Sequence, residues 1–86
     1  MRVLIPGPLR DYTANEAAVS ADGLTLGSML ADLDRRFPGL RFRIIDEQGR
    51  IRRHIKFFID GVQAKDLNPD LHSATEVMIV CALSGG

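Results

Sequence analysis

The feature that most constrains this chain is an apolar stripe at helical spacing. Leu26, Met29, Leu30, Leu33 and Phe37 fall at i, i+3, i+4, i+7 and i+11, one face of a 3.6-residue period. Thr25 is placed to cap the first turn, Arg35 and Arg36 suit the negative C-terminal end of the helix dipole, and Pro38-Gly39 ends the run. Gly27 lowers helix propensity in the first turn and predicts close backbone packing there. A lone amphipathic helix must lay its stripe on something else, and the flanking sequence offers strands.

Arg2 to Ile5 is a short β-rich run stopped by Pro6-Gly7-Pro8, and Ala17 to Ser20 is a weaker one. Together they predict a hairpin with a longer-than-tight connection. After the helix, Phe42 to Ile45 is apolar, Asp46-Glu47-Gln48-Gly49 has turn chemistry and Ile51 to Ile59 is β-rich, so the segment predicts strand, turn, strand. Within it Ile55, Phe57 and Ile59 alternate with Lys56, Phe58 and Asp60. Asp60-Gly61 is a second turn, and 66–73 predicts a loop or one short helical turn anchored by Leu67 and Leu71. Val77 to Cys81 is nearly continuously apolar, the pattern of a central strand covered on both faces.

The order β-β-α-β-β describes an α+β roll, a mixed sheet with one main helix packed across it, in which the first and last strands lie parallel at the centre. That arrangement is the β-grasp, or ubiquitin-like, roll. With 86 residues the chain supports one modest core, expected to be a single domain over 1–82 followed by a flexible tail, 83–86. Lys+Arg and Asp+Glu both number 11, so overall charge points to neither nucleic acid nor membrane. The single cysteine excludes an internal disulfide, and there is no CxxC or Cys/His ligand cluster. The opening MRVLIPGPLR has too short an apolar run for a signal peptide, and a reducing cytoplasm is the expected location.

The chain closes on Ser84-Gly85-Gly86. Two successive glycines at that place arise by chance at about 0.5%, and a frayed terminus is the ordinary reading. The chemical reading starts from the poor electrophilicity of a carboxylate. Adenylation gives it a leaving group, after which sulfur can replace one oxygen to leave a thiocarboxylate. An enzyme performing that reaction must thread the last carbonyl through a narrow channel, which glycine alone permits without Cβ clashes. From Ala82 to Gly86 an extended chain reaches about 17 Å.

On the opening strand with Pro8-Leu9-Arg10, the helix region TLGSMLADLDRRFPG, the strand HIKFFIDG and the closing VMIVCALSGG, the chain resembles the MoaD/ThiS family of ubiquitin-like sulfur carriers nearly end to end. The resemblance implies a carrier and not an enzyme. Its terminal glycine, here Gly86, would be adenylated by an E1-like enzyme and thiocarboxylated, with Gly85, Ser84 and Leu83 as the passage into enzyme channels. ATP and magnesium would be brought by that enzyme, with no cofactor bound by the carrier, and a sulfur-accepting synthase would be the second partner. The hairpin RIIDEQGRIRRHIKFFIDG is most similar to carriers feeding cysteine synthesis or to molybdopterin-synthase small subunits. Two departures stand out: His72-Ser73-Ala74-Thr75 replaces a common Asp-Gly-Asp turn, and Cys81-Ala82-Leu83 lacks a common proline. A ubiquitin-like modifier joined through Gly86 and a non-covalent binding module are the alternatives.

From Arg35 to Lys56, eight cations face two carboxylates, leaving +6; the other three cations and nine carboxylates leave −6. This stretch, which includes Arg52 and Arg53 as candidate partner-binding residues, either steers docking to an acidic partner or defends an edge hairpin by charge. Too few aromatics lie nearby for base stacking, so no nucleic-acid partner is expected, and no membrane partner. If Ile55, Phe57 and Ile59 face the helix, Phe58 lies on the open face beside Met78 and Val80 or Val77 and Ile79. There it is either a partner-binding patch or covered by the 41–53 excursion. Cys81 reads as a buried structural thiol, and His54 and His72 as ordinary polar residues.

Overall fold

The computed structural model describes residues 1–82. Strand β1 (Arg2–Leu4) leads into a 3-10 helix at Gly7–Thr13 and returns as β2 (Ala18–Ser20). Helix α1 (Leu26–Arg36) and a second, five-residue helix, α2 (Leu40–Ile44), come next. Strands β3 (Ile55–Ile59), β4 (Val62–Ala64) and β5 (Glu76–Cys81) complete the fold. The five strands form one mixed sheet in the order β2-β1-β5-β3-β4. The expected parallel pairing of first and last strands is its centre, with Val3 opposite Val77 and Leu4 opposite Met78.

Helix α1 forms as its sequence predicts. The Thr25 hydroxyl accepts from the Ser28 amide at 3.2 Å, and the Ser28 hydroxyl accepts from the Thr25 amide at 2.9 Å, a reciprocal capping box. Leu26, Met29, Leu30 and Leu33 are buried, and Phe37 is half-buried at the end. Gly27 lies close to Leu67, whose carbonyl takes its amide at 3.0 Å. These side chains meet Val3, Ile55, Phe57, Val77 and Ile79 from the sheet in one apolar core. Gly23 is forced by the same packing: a Cβ there would overlap the Met29 backbone nitrogen and stand 2.7 Å from its Cα.

The structure corrects three readings. Phe42–Ile45 is not a strand. Leu40 and Ile44, four apart, are both fully buried while Phe42 is exposed, a helical spacing. The Asp34 carboxylate fixes the start of this turn by accepting from the amides of Gly39 (3.2 Å) and Arg41 (3.1 Å), satisfying donors a helix leaves open. The β-rich run beginning at Ile51 reaches strand geometry only at Ile55; before it, Ile45 and Ile51 form a single bridge across the predicted Asp46–Gly49 turn. Second, β4 is an additional edge strand, paired with β3 through a two-residue turn. Asp60 (φ 46°) and Gly61 (φ 87°) occupy that turn in the left-handed region. Third, β5 is central in order but covered on one face only, since Val77 and Ile79 are buried while Met78 is exposed and Val80 half-buried.

Asp60 also ties the β3–β4 turn to the start of β5. Its carboxylate accepts from the Thr75 hydroxyl at 2.7 Å, the Thr75 amide at 3.1 Å and the Glu76 amide at 3.0 Å. The hydroxyl and amide bonds of Thr75, with the Glu76 amide, hold its pKa below the ordinary carboxylate value against the opposing effect of desolvation. A depressed folded pKa contributes stability above the unfolded pKa and loses it as pH falls through the folded value. Asp60→Asn, which tolerates the same backbone region, should therefore lower Tm at about pH 6, and the gap from wild type should narrow as pH falls below the ordinary Asp value of about 3.9. A thermal-melt series across pH checks this; a gap independent of pH would refute it. Gly23→Ala should destabilise by about 1–3 kcal/mol through overpacking, measured by urea unfolding.

Candidate functional site

The site is the end of β5 and the two surfaces that flank it. Strand β5 carries the chain out of the sheet between β1 and β3, and the Ala82 amide donates to the His54 carbonyl at 2.7 Å. The last described residue is thus fixed to the segment entering β3. Leu83, Ser84, Gly85 and Gly86, the expected tail and reacting residue, lie outside the described residues.

The first flank is the open face of the sheet. Alternation along each strand sends Val3, Phe57, Val77 and Ile79 to the core and leaves Leu4, Phe58, Met78 and Val80 on the other side. Cross-strand register aligns them: Leu4 faces Met78, Met78 faces Phe58, and Val80 faces Lys56. Phe58 and Val80 are half-buried and Met78 is 39% exposed, none of them packed against the core cluster. Of the two partner sets considered for Phe58, the structure selects Met78 and Val80, and the 41–53 excursion does not cover them. Charged groups rim the row, with an Arg2–Glu76 pair at 3.6 Å at one end and Lys56 at the other. Leu4 completes the row and was not singled out from sequence. Its alternation with Val3 was visible, but its place beside Met78 follows only from the parallel β1–β5 pairing.

The second flank lies toward the helices. A cleft of about 370 Å³ opens between the 3-10 segment, α2, the loop before β3 and the end of β5. Leu9 and Phe42 line it, together with Arg43, Arg52, His54 and Cys81. The Arg52 Nε donates to the Phe42 carbonyl at 2.8 Å, and its guanidinium lies 4.7 Å from the Phe42 ring centroid. Arg52 is thereby anchored at the cleft, and with Arg53 it also borders a shallow surface that includes Lys56, Gln63 and Lys65. Lys56 stands across from Val80 and Gln63 across from Phe58, so the two arginines border the strands of the apolar row at its Lys56 end. Cys81 is half-buried, pairs across from Ile55 and borders the cleft, instead of being enclosed. His54, read from sequence as an ordinary polar residue, sits in the same cleft and carries the backbone carbonyl that holds Ala82.

Among the described residues there is no cluster of His, Cys, Asp or Glu suited to a metal ion, and no helix long and apolar enough to cross a membrane. The geometry presents a strand end between an apolar face and a cationic cleft.

Comparison with known proteins places this geometry among similar ones. The family model described as "ThiS family" matches residues 3–86. "Sulfur carrier protein CysO" of Mycobacterium tuberculosis is 29% identical over 89 residues, covering 98% of this chain and 96% of that protein. The crystal structure of Mycobacterium tuberculosis CysO, described as an antigen, superposes with a TM-score of 0.88 at 28% identity, covering 95% of this chain and 98% of the other. The chain matched in the crystal structure of the Amycolatopsis orientalis BexX/CysO complex superposes with a TM-score of 0.89 at 26% identity, covering 99% and 98%.

Phe58→Asp should leave the fold intact, with Tm within a few degrees of wild type, because the ring packs outside the core. Phe57→Asp should unfold the domain by placing a charge among Val77, Ile79 and the helix. Circular dichroism melts of both variants test which ring belongs to which face.

Proposed function

The chain belongs to the ThiS family, and on that premise we propose that it is a sulfur carrier protein that acts through the carboxyl group of Gly86. The observation carrying this reading is the end-to-end likeness to a sulfur carrier protein, in sequence and in fold. An E1-like enzyme supplies ATP and magnesium. The Gly86 carboxylate attacks the α-phosphorus and pyrophosphate leaves, forming an acyl-adenylate. Hydrosulfide then adds to the acyl carbon and AMP departs, leaving a thiocarboxylate. The sulfur of that group adds to an electrophilic unsaturated carbon held by a synthase of the cysteine or molybdopterin pathway, the displaced π pair takes up a proton, and hydrolysis of the resulting thioester leaves the sulfur on the acceptor and restores the carboxylate.

Each part of the chain has a role in this scheme. Gly85 lets the backbone pass a narrow channel, and Ser84 and Leu83 supply reach. The row of Leu4, Met78, Phe58 and Val80 is the apolar surface on which the activating enzyme docks, contiguous across three neighbouring strands and ending where the chain leaves the sheet. The terminal carboxylate, and the thiocarboxylate made from it, is the one reacting group the scheme asks of this chain; the rest of the domain is the rigid handle that bears it. An ATP-fed reaction and a single free thiol fit a reducing cytoplasm.

Intact mass after incubation with ATP, a sulfide source and extract of the native cell tests the reading. A gain equal to exchange of one oxygen for sulfur is expected, and should vanish on deletion of Gly86. Higher-mass isopeptide adducts through Gly86 would instead identify a protein modifier, and no change under conditions that thiocarboxylate a known carrier would refute both. Phe58→Asp should slow the gain at least about tenfold in a folded protein; an unchanged rate would remove the apolar row from the docking surface.

A further inference from the structure

We propose that the cleft formed by Arg43, Arg52, His54 and Cys81 is a second docking site on this carrier, and that it takes a carboxylate-rich segment of the activating enzyme. The inference rests on the carrier reading above and adds the partner chemistry that the side of β5 opposite the apolar row would recognise.

The cleft is cationic, and its lining includes no acidic residue. Among the described residues neither Arg43 nor Arg52 has an ion pair, whereas Arg35 and Arg36 both pair with Asp32. Arg52 is pre-positioned: its Nε is held by the Phe42 carbonyl and its plane lies by the Phe42 ring, leaving the terminal nitrogens for an incoming group. A guanidinium already fixed in place loses little freedom on binding, and its fork matches a carboxylate. The floor is partly apolar, formed by Leu9 and the exposed Phe42, which suits a peptide segment more than a bare anion.

Position decides between the anions a carrier meets. The cleft adjoins Cys81, five residues before Gly86, so an extended terminus places the reacting carbonyl up to about 17 Å away. The phosphates of the adenylation reaction work at that distant carbonyl, and the cleft is left to side chains of the protein that grips the strand end. The 35–56 stretch, with its net +6, provides the wider field that guides such a segment in.

Two measurements test this together. In the first, a hexaglutamate peptide is titrated into the isotope-labelled full chain. Saturable amide shifts should centre on Arg43, His54 and Cys81, fade with added salt, and disappear in Arg43→Glu/Arg52→Glu. Shifts centred elsewhere, or tighter binding of inorganic pyrophosphate or an oligouridylate at the same amides, would overturn the acidic-segment assignment. In the second, the rate of sulfur gain is followed in native extract. Arg43→Glu/Arg52→Glu should slow it about tenfold and flatten its salt dependence, while Arg50→Glu/Lys65→Glu, with the same change in net charge, should slow it less than about twofold. Equal slowing by both pairs, or no slowing by the first, would refute the cleft while leaving the carrier reading intact. If the wild-type chain gains no sulfur, the carrier reading and the enzyme assignment fall together, whatever the peptide binds.

Discussion

Everything in this fold depends on the pairing of β1 with β5. The strands are parallel and adjacent, yet Leu4 and Glu76 are separated by most of the chain. Parallel neighbours require a crossover, and here the crossover carries both helices across one side of the sheet. The consequence is an asymmetric slab. One face is closed by α1 and α2 over Val3, Phe57, Val77 and Ile79; the other remains open along Leu4, Met78 and Phe58. The loop-closure entropy of such a pairing is repaid only when the helices dock, so core and crossover form together.

The same pairing determines where chemistry can occur. Because β5 occupies the middle of the sheet, the chain leaves the domain from its most firmly held strand, and it leaves between two surfaces of opposite character. Apolar side chains lie on one side, guanidinium groups on the other. Among the described residues neither surface gathers His, Cys, Asp or Glu into a cluster suited to a metal ion.

The elements with strong local periodicity were legible in the sequence. The α1 stripe, its Thr25 cap, the Asp46–Gly49 and Asp60-Gly61 turns and the alternation around Phe57 all stand in the structure. The misreadings share a cause. Phe42, Ile44 and Ile45 have β-forming side chains, and only the burial of Leu40 with Ile44 and the Asp34 carboxylate reveal a helical turn. Val62–Ala64 is too short to signal a strand by itself and is held by its register with β3. The cleft was invisible for a similar reason: Leu9, Arg43, His54 and Cys81 are scattered along the chain and meet only through the topology. Phe58 was legible because period two, unlike tertiary contact, is written locally.

The central seat of β5 has a mechanical consequence. Tension applied at the carboxyl end runs along the strand axis, and the ladders to β1 on one side and β3 on the other lie crosswise to that pull. The load is borne in shear by many hydrogen bonds at once, whereas an edge strand pulled sideways would unzip them singly. With Ala82 latched to His54 at the exit, a pull on the strand end is shared by the whole sheet before any single bond gives way.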